Sequence, residues 1–216
     1  MLDSICDVLK KSYDLGYITS RDGNASYRRK DEPYIYVTPS GTRKYHLNGE
    51  MLIKLKIKNP SRDTLPSLQD LDLENELERV DDEVQRRIIG LVPSGELPLH
   101  FMMQYHVPHN RVVLHLHPTY TVAALYKNVD LQKLSDDFIE LRRYTRVAPS
   151  IGPVDAISKE LAKRVIDALG LDPKTGETKY DIVALDRHGI VAVGPDVWTC
   201  YEHVERLEHI CKISQV

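Results

Sequence analysis

The residues best suited to chemistry in this 216-residue chain are His115-Leu116-His117. Side chains alternate between the faces of a β-strand, so two histidines one residue apart leave the same face and can grip one cation. Imidazole nitrogen is a common zinc ligand, and a catalytic zinc generally keeps three protein ligands and an open position. With 9 histidines in the chain, chance alone gives about 0.4 His-x-His pairs, so the pair needs a third partner to define a site. His188, at a turn between two apolar runs, is that candidate; the plainer reading makes it a turn residue bonded to backbone.

Glu96, in Pro93-Ser94-Gly95-Glu96, stands at the start of a short helix. A carboxylate there can simply answer the positive end of the helix. It can also act as a base beside a cation whose field tunes its proton affinity. Three small polar turns complete the set: Gly23-Asn24, Ser40-Gly41 and Ser94-Gly95. Glycine lets backbone N–H groups approach an anion, and hydroxyl or amide groups add donors. Each is an ordinary turn by itself, and the three gain meaning only if they converge on the histidines.

The elements that must position these residues follow from periodicity. Leu2, Ile5, Cys6 and Leu9 recur at helical spacing and Gly16 follows as a stop, which predicts an opening amphipathic helix. Thr19 to Asn24 is a polar loop, Tyr34 to Thr38 a strand ended by Pro39-Ser40-Gly41, and Leu52 to Ile57 a half-exposed strand. Ser61 to Arg87 is acidic and poor in aromatics, the pattern of a solvated helix or loop. A short helix over Leu97 to Tyr105 precedes a buried strand over Arg111 to His117, and a helix over Thr119 to Tyr126 takes Thr119 as its cap.

Farther on, Arg143 to Val147 reads as a strand. Asp155 caps a helix with Ile157, Leu161, Val165 and Leu169 on one face, closed by Gly170. Asp181 to Leu185 and Ile190 to Val193 flank a turn in which Gly189 is free to adopt positive φ. A last helix starts at about Asp196 and buries Cys200, Val204, Leu207 and Cys211. Helix and strand alternate without a repeat or linker, which predicts a single α/β domain over 1–216 with helices layered on a central sheet.

Composition bounds the function. Hydrophobic residues are 42% and charged residues 28%, the balance of a folded globular chain. Net charge is −3, which recruits neither nucleic acid nor an anionic membrane surface. No apolar run approaches the ~18 residues of a membrane span, and the first residues lack the apolar core of a secretory signal. Cys6, Cys200 and Cys211 form neither a CxxC motif nor an even set, which suits the reducing cytoplasm.

Taken in order, Gly23-Asn24-Ala25-Ser26, Thr38-Pro39-Ser40-Gly41, Pro93-Ser94-Gly95-Glu96, His115-Leu116-His117-Pro118 and His188-Gly189 resemble the class II aldolase/adducin family. Val193-Gly194 and a helix bearing Glu205 and Glu208 extend the likeness, which runs from about Leu15 to Ile210. The resemblance implies a three-layer αβα fold around a central, mainly antiparallel sheet, and a homotetramer with active sites at subunit boundaries. It makes His115, His117 and His188 the ligands of a zinc ion, with manganese, cobalt or iron as other candidates. Glu96 becomes the catalytic acid/base, and Asn24, Ser40, Gly41, Ser94 and Gly95 cradle the phosphate of a small sugar-phosphate substrate.

The implied reaction cleaves or forms a C–C bond in a ketose phosphate. A chelated cation stabilises an enediolate of dihydroxyacetone phosphate as a Lewis acid, and Glu96 moves the proton. Three features depart from the family pattern. Gly95 stands where a second serine is common. Phe138 falls nearest the position of the tyrosine acid that a neighbouring subunit supplies in fuculose-type aldolases, with Tyr144 a few positions on. The acidic stretch near 61–87 is longer than in small members. Related branches include a 4-epimerase, which typically has aspartate at the Glu96 position, and a methylthioribulose-phosphate dehydratase. The adducin head uses the fold for assembly, but that branch lacks the metal histidines. His100 reads as a packed, hydrogen-bonded helix residue, and His203 and His209 as surface or interface positions.

Overall fold

The structure is a computed structural model describing residues 1–58, 71–105, 109 and 111–214. Among these, the strands are β1 (Asn24–Arg28), β2 (Tyr34–Val37), β3 (Ile53–Ile57), β4 (Leu77–Arg79), β5 (Arg111–Leu116), β6 (Ile182–Leu185) and β7 (Gly189–Gly194). They form one sheet in the order β4-β3-β2-β1-β5-β7-β6, antiparallel at every pairing. The helices are α1 (Leu2–Asp14), α2 (Leu73–Glu76), α3 (Glu83–Arg87), α4 (Leu97–Gln104), α5 (Thr119–Tyr126), α6 (Leu131–Asp137), α7 (Ile139–Tyr144), α8 (Lys159–Leu169) and α9 (Val197–Ile213).

Strand alternation divides the core into two layers, as the αβα expectation requires. Val112, Leu114 and Leu116 of β5 join Ala25, Tyr27, Ile190 and Ala192 against α1, α5 and α9. Val113, Val191, Val193, Ile35 and Val37 face the other way, against α4 and α8. By the same alternation His115 and His117 belong to the α4/α8 face. The central strand β5 is buried throughout, so its polar residues need partners within the protein.

Several local expectations are corrected. Asn24 begins β1 rather than ending a loop; Asn24-Ala25-Ser26 lacks the β-branched and aromatic bias that marks a strand. Arg143 to Val147 is no strand: α7 runs to Tyr144, and only Val147 makes an isolated bridge, to Ile182. The cap of α8 is Ser158, whose hydroxyl accepts from Leu161 N at 3.0 Å, not Asp155. Ile157 therefore lies outside that helix, 61% exposed and at φ +69°.

Thr119 does not cap α5. The Glu208 carboxylate does so from α9, accepting from Tyr120 N at 2.9 Å and Thr121 N at 2.8 Å. Gly189 is absent from the positive-φ residues; Arg187 takes that conformation in the β6–β7 turn. His203 is buried and bonded to Thr145 at 2.9 Å, while His209 is exposed as expected. In the acidic stretch, 61–70 lie outside the described residues, and the remainder forms α2, α3 and the edge strand β4 rather than solvated surface alone.

Candidate metal centre and active site

The histidine cluster forms where β5 and the β6–β7 turn meet. His115 is the second-last residue of β5 and His117 follows the strand's end, on the same face as alternation requires, while His188 occupies the turn before β7. One ligand nitrogen from each of the three lies within 4.8 Å of the others. His115 Nε2 and His117 Nε2 are 2.9 Å apart. This is the candidate metal group found among the described residues.

The donor set fits a divalent cation. His115 Nδ1–H donates to the carbonyl of Ile190 at 2.8 Å, which leaves the Nε2 lone pair directed at the cluster. Burial pushes His115 down to about 3 and His117 down to about 4. Both imidazoles are therefore neutral at pH 7, the state in which histidine ligates a metal.

Glycine allows the close approach. A β-carbon on Gly189 would strike the carbonyl oxygen of Leu116 and come within 2.7 Å of His117 Cδ2. Gly23 takes φ +71°, and a β-carbon there would sit 2.9 Å from Ile18 Cγ2 and 3.2 Å from His115 O. A bare backbone is thus needed on both sides of β5 at the cluster, at the first residue of β7 and just before β1.

Glu96 reaches the histidines from the N-terminus of α4. It occupies the cap position but makes no side-chain capping bond. Instead Oε1 lies 3.5 Å from His115 Nε2 and 3.7 Å from His188 Nε2. Oε2 accepts a 2.9 Å hydrogen bond from Asn24 Nδ2. The side chain is nearly enclosed, at 7% exposure, so it faces the cluster rather than solvent. Among the described residues, neither Phe138 nor Tyr144 nor any other tyrosine lines this cleft.

The three polar turns converge. Gly23, Asn24, Ser40, Gly41, Ser94 and Gly95 line one cleft of about 220 Å³ together with Glu96 and the three histidines. Two turns are zipped side by side: Ser40 N donates to Val92 O at 2.8 Å and Ser94 N to Thr38 O at 3.0 Å. A β-carbon on Gly95 would lie 2.9 Å from Ile157 Cδ1, the far end of an exposed side chain that can give way.

Sequence reading missed Asp22, Lys44 and Ile157 at this cleft. Lys44 is buried, and its ammonium donates to Arg21 O and Thr42 O, each at 3.0 Å. Burial pushes it down to about 8. A lysine among apolar neighbours would have been the signal, but Arg43-Lys44-Tyr45 is polar on both sides of it in sequence. His100 is also linked to the cleft, as a partner of Asn24 at 2.6 Å. The packed, hydrogen-bonded state expected of it is correct; its connection to Glu96 is new.

Comparison with known proteins places the chain and its fold in a family. L-fuculose phosphate aldolase of Methanococcus vannielii is 25% identical over 215 residues, covering 98% of this chain and 92% of the relative. The 3-oxo-tetronate 4-phosphate decarboxylase of Haemophilus influenzae is 26% identical over 207 residues, covering 93% and 80%. The crystal structure of L-fuculose-1-phosphate aldolase from Thermus thermophilus superposes with a TM-score of 0.69 at 21% identity, covering 99% of this chain and 92% of that one. The family model for the class II aldolase and adducin N-terminal domain matches residues 3–215. The chain, carrying those motifs on that sheet, belongs to the class II aldolase and adducin family.

Proposed function

We propose that this chain is a metal-dependent aldehyde-lyase that cleaves or forms a C–C bond next to the ketone of a small ketose phosphate. The observation that carries the reading is the placement of one enclosed carboxylate oxygen 3.5 Å and 3.7 Å from two members of a three-histidine cluster. A divalent cation held by His115, His117 and His188, zinc in this reading, supplies Lewis acidity toward substrate oxygens. The remaining steps belong to the chain itself. Glu96 Oε1 takes a proton from the carbon beside the ketone in the condensation direction and returns it after cleavage. Asn24, Ser40, Gly41, Ser94 and Gly95 offer N–H, hydroxyl and amide donors to the phosphate, and Lys44 adds a cation at the same cleft.

A decarboxylase reading has one observation in its favour, the 26% identity to the tetronate-phosphate enzyme. Loss of carbon dioxide from a β-keto acid also leaves charge beside a ketone, so the same residues would serve. A screen of ketose phosphates and 3-oxo acid phosphates with metal-loaded protein separates the cases. Release of dihydroxyacetone phosphate supports the lyase. Carbon dioxide, an epimeric pentulose or water loss would instead assign the decarboxylase, the 4-epimerase or the dehydratase. An adducin-like assembly role predicts that added metal does not bind at all.

Two further parts belong to the same proposal. A homotetramer agrees with Tyr126, Ile139, Tyr144 and Trp198 standing in solvent on the helical layers, and light scattering measures it directly. A cytoplasmic setting agrees with three free, buried cysteines.

A further inference from the structure

Helix α4 lies along β1, and the two periodicities match. Asn24, Ser26 and Arg28 recur every second residue on one face of the strand, while Glu96, His100 and Gln104 recur every fourth on one face of the helix. Asn24 meets both Glu96 and His100, Ser26 meets His100 and Gln104, and the Arg28 guanidinium donates to the carbonyls of Gln104 and Tyr105. The contact is a buried polar seam: Ser26, His100 and Gln104 have no solvent exposure.

The seam has only one chemically consistent direction. Glu96 Oε2 is an acceptor, so Asn24 must present its amide nitrogen to it, at 2.9 Å. Asn24 Oδ1 then faces His100 Nε2 at 2.6 Å, which requires that nitrogen to carry the proton. His100 Nδ1 is left as an acceptor for the Ser26 hydroxyl at 2.8 Å. Ser26 Oγ in turn accepts from Gln104 Nε2 at 3.1 Å. That nitrogen also donates to Arg111 O at 3.2 Å, while Gln104 Oε1 is buried without a partner. From Gln104 through Ser26, His100 and Asn24, one donor of each residue is therefore oriented toward Glu96.

We propose that His100 is a positioning residue: as a neutral imidazole protonated on Nε2, it holds the Asn24 carboxamide with its nitrogen toward Glu96, so that Oε2 stays engaged and Oε1 alone faces the histidine cluster. Burial, which pushes His100 down to about 4, keeps the imidazole neutral through the working range. The role rests on the proposed use of Glu96 as acid/base, since His100 does not reach the reacting atoms.

Two measurements test it. Nitrogen-15 NMR of the histidine side chains in the metal-free full chain at pH 7 should show His100 as the Nε2–H tautomer; an Nδ1–H tautomer or an imidazolium overturns the seam whatever the substrate proves to be. In the metal-loaded protein, His100→Leu should lower kcat about 10- to 100-fold, with KM and metal content within about twofold of wild type. His100→Gln, whose amide can still donate to Asn24, should recover most of that loss, and Asn24→Ala combined with His100→Leu should be no slower than Asn24→Ala alone. Full activity in a folded His100→Leu variant, or a Gln variant no better than the Leu one, overturns the role. Should the Leu variant fail to fold, the Gln variant and the tautomer decide. If wild type turns over no screened sugar phosphate, the proposed reaction fails while the tautomer measurement still judges the seam.

Discussion

Glu96 is held by one oxygen and free at the other. Asn24 engages Oε2, and Oε1 faces His115 and His188. Glu96→Gln keeps the shape and the contact with Asn24 but removes the proton acceptor. It should leave metal stoichiometry intact and reduce turnover by roughly 10²-fold or more. Near-full turnover in a metal-replete Gln variant would remove Glu96 from the reaction. The strand period alone was enough to pair His115 with His117, because alternation is a local rule. His188 was legible as a polar residue between apolar runs, whereas Glu96 sat where a first-turn acid is ordinary and gained its role from the family resemblance. What no local pattern reveals is that Asn24 and His100, 76 positions apart in sequence, touch, or that Lys44 folds into the cleft. Those contacts arise from the register of β1 against β5 and from the lie of α4 along β1.

At the scale of elements, two positions fix the metal end of β5. Its neighbour β7 begins with Gly189, packed so close that a methyl group would press on Leu116 and His117. Gly189→Ala should cost about 1–3 kcal/mol, the usual scale of overpacking, and weaken metal binding by displacing His117. Calorimetric metal titration beside a denaturant melt checks both, and unchanged affinity would mean that the strands part without disturbing the ligands. On the other side of β5, the chain turns into α5 under the cap of Glu208. Its carboxylate is 4% exposed and also accepts from the Thr121 hydroxyl at 2.8 Å. Glu208→Ala strands these buried donors and should destabilise the fold by about 1–3 kcal/mol, measured by urea unfolding. The family pattern drew attention to Glu208 without giving it this role. Sequence reading placed β2, β3, β5, β6, β7, α4, α5 and α9 within a residue or two, where periodicity and turn residues agree. It missed β1, whose Asn24-Ala25-Ser26 carries the chemistry of the seam instead of strand-forming bulk.

For the whole molecule, burying neutral histidines ties stability to pH. His100 and His115 are pushed down to about 4 and about 3, below the value near 6.5 expected in the unfolded chain. Between those values the unfolded chain takes up protons that the fold excludes, so stability is full above pH 6.5 and falls as pH drops toward 4 and 3. Each such histidine contributes a slope of at most about 1.4 kcal/mol per pH unit in that window. The melting temperature of metal-free protein should therefore decline from pH 7 to pH 5, and His100→Gln should flatten the decline; a flat wild-type profile would contradict the assignment. Among the described residues, no helix is long and apolar enough to cross a membrane.

Cys6, Cys200 and Cys211 are all buried in the layer formed by α1, α5 and α9, on the side of the sheet away from Glu96. Burial pushes Cys6 and Cys211 up to about 12 and Cys200 well above its ordinary value, which leaves little thiolate to react with an alkylating reagent. Modification must then wait for that layer to breathe, so iodoacetamide uptake clocks the opening of one side of the molecule only. If occupancy of the cleft on the opposite side slows that clock, the two halves of the sandwich open as a unit; if it does not, the cleft side can loosen while its backing stays shut.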